Sequence, residues 1–334
     1  MKMKSPQVWH WRYAAFASLT LFLACLVAVS FGPIHLPFFG AMKTLLGLPG
    51  GLAGQERTVL LDLRLPRILL AALVGAALSS SGAVYQSVFR NPLADPYLLG
   101  AASGAGLGAT LALTLHPNTA LTPLFAFIGG VVAVLASFFI SGKFFAEPAT
   151  LLLSGIAIGS FFTAIQTYVL QRHSASLRPV YSWILGELTV ANWEILRWSS
   201  FYILLAIAIL IFVSRKLDGL MLSDEEAFSL GINPARLRII AIGAATLATA
   251  TAVAAAGLIG FVGIVVPHLV RGLTRRVTNR SILTIAISGA AFLILADFGA
   301  RTILSPAEVP IGIITAFIGA PFFLIVLRRR RVGG

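Results

Sequence analysis

Residues 96–142 contain no Asp, Glu, Lys or Arg. A run that long without a charge has no face suited to water. The pattern is general: 11% of the 334 residues are charged and 58% are hydrophobic, whereas a soluble domain carries about 25% charged residues. The chain reads as an all-α integral membrane protein. The formal net charge of +13 does not argue for nucleic acid, which would need a basic patch on a soluble surface. Here the charges fall in short gaps between apolar runs, as topology determinants do.

A membrane helix needs about 20 apolar residues, and charge is costly inside a bilayer, so the charge-free stretches mark the spans. Residues 13–42 hold one, ended by Gly32, Pro33 and Pro37. Residues 68–89 hold a second, with Pro66 placed to start it, since proline is favoured in a first helical turn. The 96–142 stretch is too long for one span and divides at His116-Pro117-Asn118 and Pro123. Residues 148–171 and 198–214 give one each. Residues 239–270 exceed one helix and are tight for two, and Gly257, Gly260, Gly263 and Pro267 fall in the second half. This predicts a full helix to about Ala256 and a short or broken one from Leu258 to Arg271. Residues 281–296 and 309–327 complete ten transmembrane helices. No long hydrophilic insertion interrupts them, so residues 1–334 read as a single transmembrane domain.

An even count puts both termini on one side. With the termini inside, 17 of the 25 Lys and Arg lie on inner segments, so the positive-inside rule places both in the cytoplasm of a bacterial or archaeal inner membrane. Cys25, the single cysteine, reads as a small buried hydrophobe; a signal peptide is disfavoured because the apolar run continues to Phe31.

The motifs weigh against catalysis by this chain. There is no G-x-x-x-x-G-K-[ST] phosphate loop, since Gly142-Lys143 is followed by Phe144. No His/Cys/Asp/Glu grouping has metal-ligand spacing, and no nucleophile–base constellation stands out. Gly100, Gly104 and Gly108 form a small-xxx-small face for close helix packing. Ser223 with Glu226 reads as a capping box, with Asp224, Glu225 and Glu226 in a helical first turn and Gly231 as C-cap. A short helix on the inner surface follows. Asp297 and Arg301 stand at i, i+4 in the favoured order, and Pro267-His268 closes the glycine-rich half helix.

Four segments go further. Arg64-Leu65-Pro66-Arg67 with Gly82-Ala83-Val84-Tyr85-Gln86 and Arg90-Asn91-Pro92-Leu93-Ala94-Asp95-Pro96 is the first. Gly257 to Gly263 with Pro267-His268, Asp297 with Arg301, and Glu308-Val309-Pro310-Ile311-Gly312 with Gly319-Ala320-Pro321-Phe322-Phe323 follow in order. Together they resemble the iron-complex and cobalamin (FecCD-type) permease family of ABC importers. The resemblance implies a homodimer of ten-helix subunits around a central pathway. It implies two cytoplasmic ATPase subunits, which would bind ATP and Mg, so that this chain would hold no cofactor. It also implies a binding protein that delivers a ferric siderophore, haem or corrinoid from outside. The family's coupling segment matches residues 222–233, with Asp224, Glu225, Glu226, Ala227, Leu230 and Gly231. Binding-protein docking falls to Arg64, Arg67 and Arg301, and the pathway-lining helix to residues 150–170, with Ser154, Gly155, Gly159 and Ser160. An ion-driven secondary transporter is the alternative, but it would place ionisable residues at mid-membrane, where the gaps here are nearly clean. A lipid-modifying membrane enzyme would need convergent acid, base or metal groups.

Overall fold

The computed structural model describes residues 7–32, 34–115, 119–142, 147–274 and 282–332. The regular elements of the described residues are all helices, in the order α1 (Gln7–Ser30), α2 (Phe38–Leu45), α3 (Gly54–Thr58), α4 (Leu65–Val88), α5 (Ala101–Leu115), α6 (Thr122–Ser141), α7 (Pro148–Arg172), α8 (Leu177–Ile184), α9 (Trp193–Leu217), α10 (Asp224–Ser229), α11 (Pro234–Ala256), α12 (Val262–Thr274), α13 (Ile282–Thr302) and α14 (Ile311–Val332). Among the described residues, seven helical runs are long and apolar enough to cross a membrane, and Ala101–Leu115, Val262–Leu273 and Ile311–Val326 are shorter apolar helices. The run-by-run reading of the charge gaps thus finds a helix in each, but three of them fall short of a full span.

α4 and α11 form the centre. α4 is buried at every position from Ala77 to Val88, and α11 from Thr249 to Ala256. α4 packs against α9, α11, α12 and α13; α5 pairs with α6 and α7, and α1 lies on α13. The outer helices carry Phe16, Phe139, Leu153 and Phe212 outward, the arrangement expected where lipid replaces water. Since lipid tails are as apolar as leucine, close contact rather than water exclusion must hold such helices together. Glycine provides it. A Cβ at Gly75 would run into the Gly289 carbonyl of α13, and one at Gly82 into the Gly263 carbonyl of α12. The Gly104 and Gly108 face does the same between α5 and α6, meeting the carbonyls of Gly129 and Phe125.

The structure extends or corrects the sequence reading in three places. Pro66 does stand in the first turn of α4, but the helical run begins before it. α3 leads through a π-helical turn, Val59–Arg64, into α4, a continuous run from Gly54 to Val88. The wide turn, in which Leu65 N–H donates to Leu60 O, accommodates the missing proline donor. Pro267 does not close α12 but lies inside it, and the helix runs on to Thr274; His268 packs edge-on against Phe322, centroids 5.6 Å apart. The short helices α2 and α8 were not expected.

The break between α11 and α12 is real and lies at 257–261. Its backbone groups find protein partners, as irregular backbone at membrane depth must. Gly257, at φ +70, donates to Val253 O at 2.8 Å, and Ala256 O accepts from Glu187 N–H at 2.9 Å. Ile259 O accepts from the Tyr97 hydroxyl at 3.0 Å. Gln86, buried in α4, donates to Gly263 O at 3.0 Å.

If the α4–α12 crossing sets the packing, Gly82→Ala should destabilise the protein by about 1–3 kcal/mol, read as a lower melting temperature in detergent. Gly243→Ala is the control, since an added Cβ there meets nothing within 4 Å. Equal melting temperatures for the two variants would refute the close-approach account.

Candidate functional site

Three groups of residues stand out, one at each end of α4 and one on the side of the bundle. At the N-terminal end of α4 an ion cluster joins α4, α13 and the start of α14. Asp297, 1% exposed, accepts from Arg67 (Nε 2.9 Å, Nη2 2.8 Å) and from Arg301 Nε at 3.0 Å. Arg67 turns its other edge to Glu308, with Nη1–Oε1 3.1 Å and Nη2–Oε2 2.9 Å. Arg64 is 5% exposed and donates to the carbonyls of Val29 and Ile34, both at 2.6 Å. It thereby caps the last turn of α1, where unpaired carbonyls favour a cation. Gly32 leaves room for this, since a Cβ there would stand 2.9 Å from Arg64 Nη2 and 3.5 Å from Arg301 Nη1.

Sequence reasoning paired Asp297 with Arg301 alone. The structure keeps that pair and adds Arg67, 230 residues away. Two of the three expected docking arginines, Arg64 and Arg301, are buried, and Arg301 Nη2 has no hydrogen-bond partner. Arg67 and Glu308 are the members at the rim. Glu308 stood in a quoted motif but was given no part in the cluster, although it is the one acid C-terminal to Asp297.

The opposite end of α4 carries α10. Its capping box is formed: Ser223 N–H donates to Glu226 Oε2 at 3.0 Å and Glu226 N–H to Ser223 Oγ at 3.2 Å. These bonds hold the Glu226 carboxyl below the usual carboxylate range. Gly231 takes φ +74 just beyond the helix, where only glycine enters without strain. Asp224 does not face outward alone. It accepts from Arg238 of α11 at 2.7 and 3.0 Å, and from Arg90, just past α4, at 3.1 Å. Arg238, chiefly through its hydrogen bond, lowers the Asp224 carboxyl below its ordinary value. Ala227 is turned inward, while Glu225, Phe228 and Leu230 are exposed.

On the side, α7 meets the turn between α4 and α5 across an open cleft of about 720 Å³. Gly155, Gly159 and Ser160 line it with Thr163 and Thr167; Asp95, Tyr97 and Ser103 face them. Gly155 permits the closest approach, since a Cβ there would meet Leu98 O. Ser154 is not on this wall; it is buried and donates to Thr150 O at 2.9 Å within its own helix. Hydroxyls of Ser103, Ser160, Thr163 and Thr167 are set in a lining that is otherwise small or apolar and includes Leu98 and Ile156, and exposed Leu153 and Phe161 flank it on α7. A wall of small and hydroxyl-bearing residues, open on one side, can pass a bulky polar solute when a second surface closes it.

Comparison with known proteins places the chain in a family. The FecCD transport family matches residues 19–329. The hemin transport system permease protein HmuU of Yersinia pestis is 41% identical over 81% of this chain and 83% of its own. The cobalamin import system permease protein BtuC of Halobacterium salinarum is 39% identical over 84% of this chain and 76% of its own. The Fe(3+) dicitrate transport system permease protein FecD of Escherichia coli is 34% identical over 95% and 98%. A solved metal-chelate type ABC transporter in an inward-facing conformation superposes with a TM-score of 0.85 at 31% identity, covering 95% of this chain and 99% of that one. The chain is therefore a multi-pass membrane permease belonging to the FecCD transport family.

Proposed function

We propose that this chain is the transmembrane subunit of an importer that carries a metal chelate (a ferric siderophore, haem or a corrinoid) into the cytoplasm, driven by two separate ATPase subunits. The observation that carries the reading is the α7 cleft, open at the side and lined by small and hydroxyl-bearing residues, on a surface that exposes large apolar side chains around it. Two copies facing one another would complete it, in a homodimer of one membrane domain each. The seven long and three short apolar helices would make ten spans, with both termini in the cytoplasm according to the Lys/Arg bias.

In this reading the α10 end is cytoplasmic. Glu225, Phe228 and Leu230 meet the ATPase, while the capping box and Asp224 hold the helix in shape. ATP and Mg are bound by that partner and this chain holds no cofactor. ATP can shift the passage between outward and inward access only by binding the two states with different affinity. The ion cluster then faces outside and receives an acidic binding protein. Arg67 makes the contact at the rim, while Arg64 and Arg301 set the field behind it. An ion-driven carrier is not favoured, because the buried Asp297 is held by two arginines.

Reconstituted with its ATPase and binding protein in proteoliposomes, the chain should take up chelate only when ATP is inside; uptake by the permease alone would overturn the proposal. Glu308→Gln should free the outward edge of Arg67 and tighten docking of the binding protein by up to about fivefold, the worth of one exposed ion pair. Surface-immobilised permease titrated with binding protein measures this, and an unchanged or weakened Kd would remove Arg67 from the docking surface.

A further inference from the structure

α10 is held to the bundle by little apolar contact: Ala227 is its one buried residue. Its ion pairs therefore decide what it pulls on when pushed. Arg238 binds Asp224 with two nitrogens and is itself 3% exposed on α11. That contact docks α10 on its neighbour in sequence. Arg90 reaches the same carboxylate from a different part of the fold. Its Nη2 pairs with Asp224 at 3.1 Å and also donates to Leu222 O, and its Nε donates to Leu220 O at 2.8 Å. One guanidinium thus grips two carbonyls on the segment between α9 and α10 and the carboxylate of the first residue of α10.

Arg90 sits at φ +49, a conformation a non-glycine residue keeps only when its surroundings hold it. The ten residues after it form consecutive hydrogen-bonded turns. Asn91 O accepts from Ala94 N–H at 3.0 Å, Asp95 Oδ1 from Tyr97 N–H at 2.8 Å and Tyr97 O from Gly100 N–H at 3.0 Å. With Pro92 and Pro96 fixing φ, this turn is built to move as a unit. Its far half, Asp95, Tyr97, Leu98 and Gly100, is the wall of the cleft. The Tyr97 hydroxyl also bonds Ile259 in the α11–α12 break. Two residues on, Phe261 at φ +68 presses its ring on Gly319 of α14.

Resting on the ATPase-driven reading above, we propose that Arg90 is a positioning residue for transport: through Asp224 and the Leu220 and Leu222 carbonyls it ties α10 to the Arg90–Gly100 turn, so that displacement of α10 moves the cleft wall. The geometry separates two functions in one carboxylate. Arg238 keeps α10 docked; Arg90 passes its motion to the passage. Removing Arg90 therefore leaves α10 in place and cuts it off from the cleft.

The test uses the assembled transporter in proteoliposomes, with chelate uptake and ATP hydrolysis measured on the same vesicles. Arg90→Gln should co-purify with its ATPase at wild-type yield and hydrolyse ATP at a rate no lower than wild type. Chelate moved per ATP should fall about fivefold or more, within the range that coupling mutations produce. Arg90→Lys keeps the charge on Asp224 but loses the Nε bond to Leu220 O, and should give an intermediate ratio. It also serves where the Gln variant fails to assemble. A purely structural role would lower the yield, hydrolysis and uptake together with an unchanged ratio. That result, or a wild-type ratio in both variants, overturns the proposal. If the wild-type complex itself shows no ATP-driven uptake, it is the importer reading that has failed.

Discussion

The architecture depends on backbone meeting backbone along α4. Gly75 and Gly82 bring that helix against carbonyls of α13 and α12 with no side chain between. In water such contacts would be a detail of packing; in a bilayer, where burying an apolar side chain gains little, they supply much of what keeps helices together. They also fix where polar groups can be placed. Once α4 is threaded between its neighbours, its two ends present Arg67 and Arg90 to opposite polar clusters, and its interior brings Gln86 to the carbonyl of Gly263.

The polar groups at the ends and the break follow a common pattern, working for the backbone or for a charge nearby. Tyr97 and Gln86 satisfy carbonyls around the break before α12, Arg64 caps α1, and Arg67 and Arg301 share Asp297. Buried charges left alone cost several kcal/mol each, so the cluster holds together as a set. Three accessible surfaces stand beside these groups: the rim at Glu308, the exposed edge of α10 and the cleft beside α7. Those three surfaces are where a binding protein, an ATPase and a solute would meet the chain.

Much of this was legible in the sequence, because charge is so costly in lipid that its gaps trace the helices. The capping box at Ser223–Glu226 was equally plain, being a local hydrogen-bond pattern. What escaped was of two kinds. Short elements such as α2, α8 and the π-turn before Pro66 carry no long apolar run, and a proline that usually starts a helix here sits inside one. Contacts across the fold left no local signal. Nothing in the spacing joins Arg67 to Asp297 and Glu308, Arg90 to Asp224, or the turn before α5 to α7 across the cleft. The small residues of α7 were visible as a pattern, yet only three dimensions separate Gly155, Gly159 and Ser160, on the cleft, from Ser154, which is not.

The central claim is that the α7 cleft is half of a passage completed by a second copy and driven by ATP. It is tested most directly by a distance between copies. In a Cys25→Ala background, Ser160→Cys carries one spin label per chain, and the separation of the two labels is measured in the assembled transporter with and without ATP. A defined inter-copy distance that shifts by several ångströms on ATP binding is the expected result. Labels too far apart to share a passage, or a separation that ATP leaves unchanged, would contradict it.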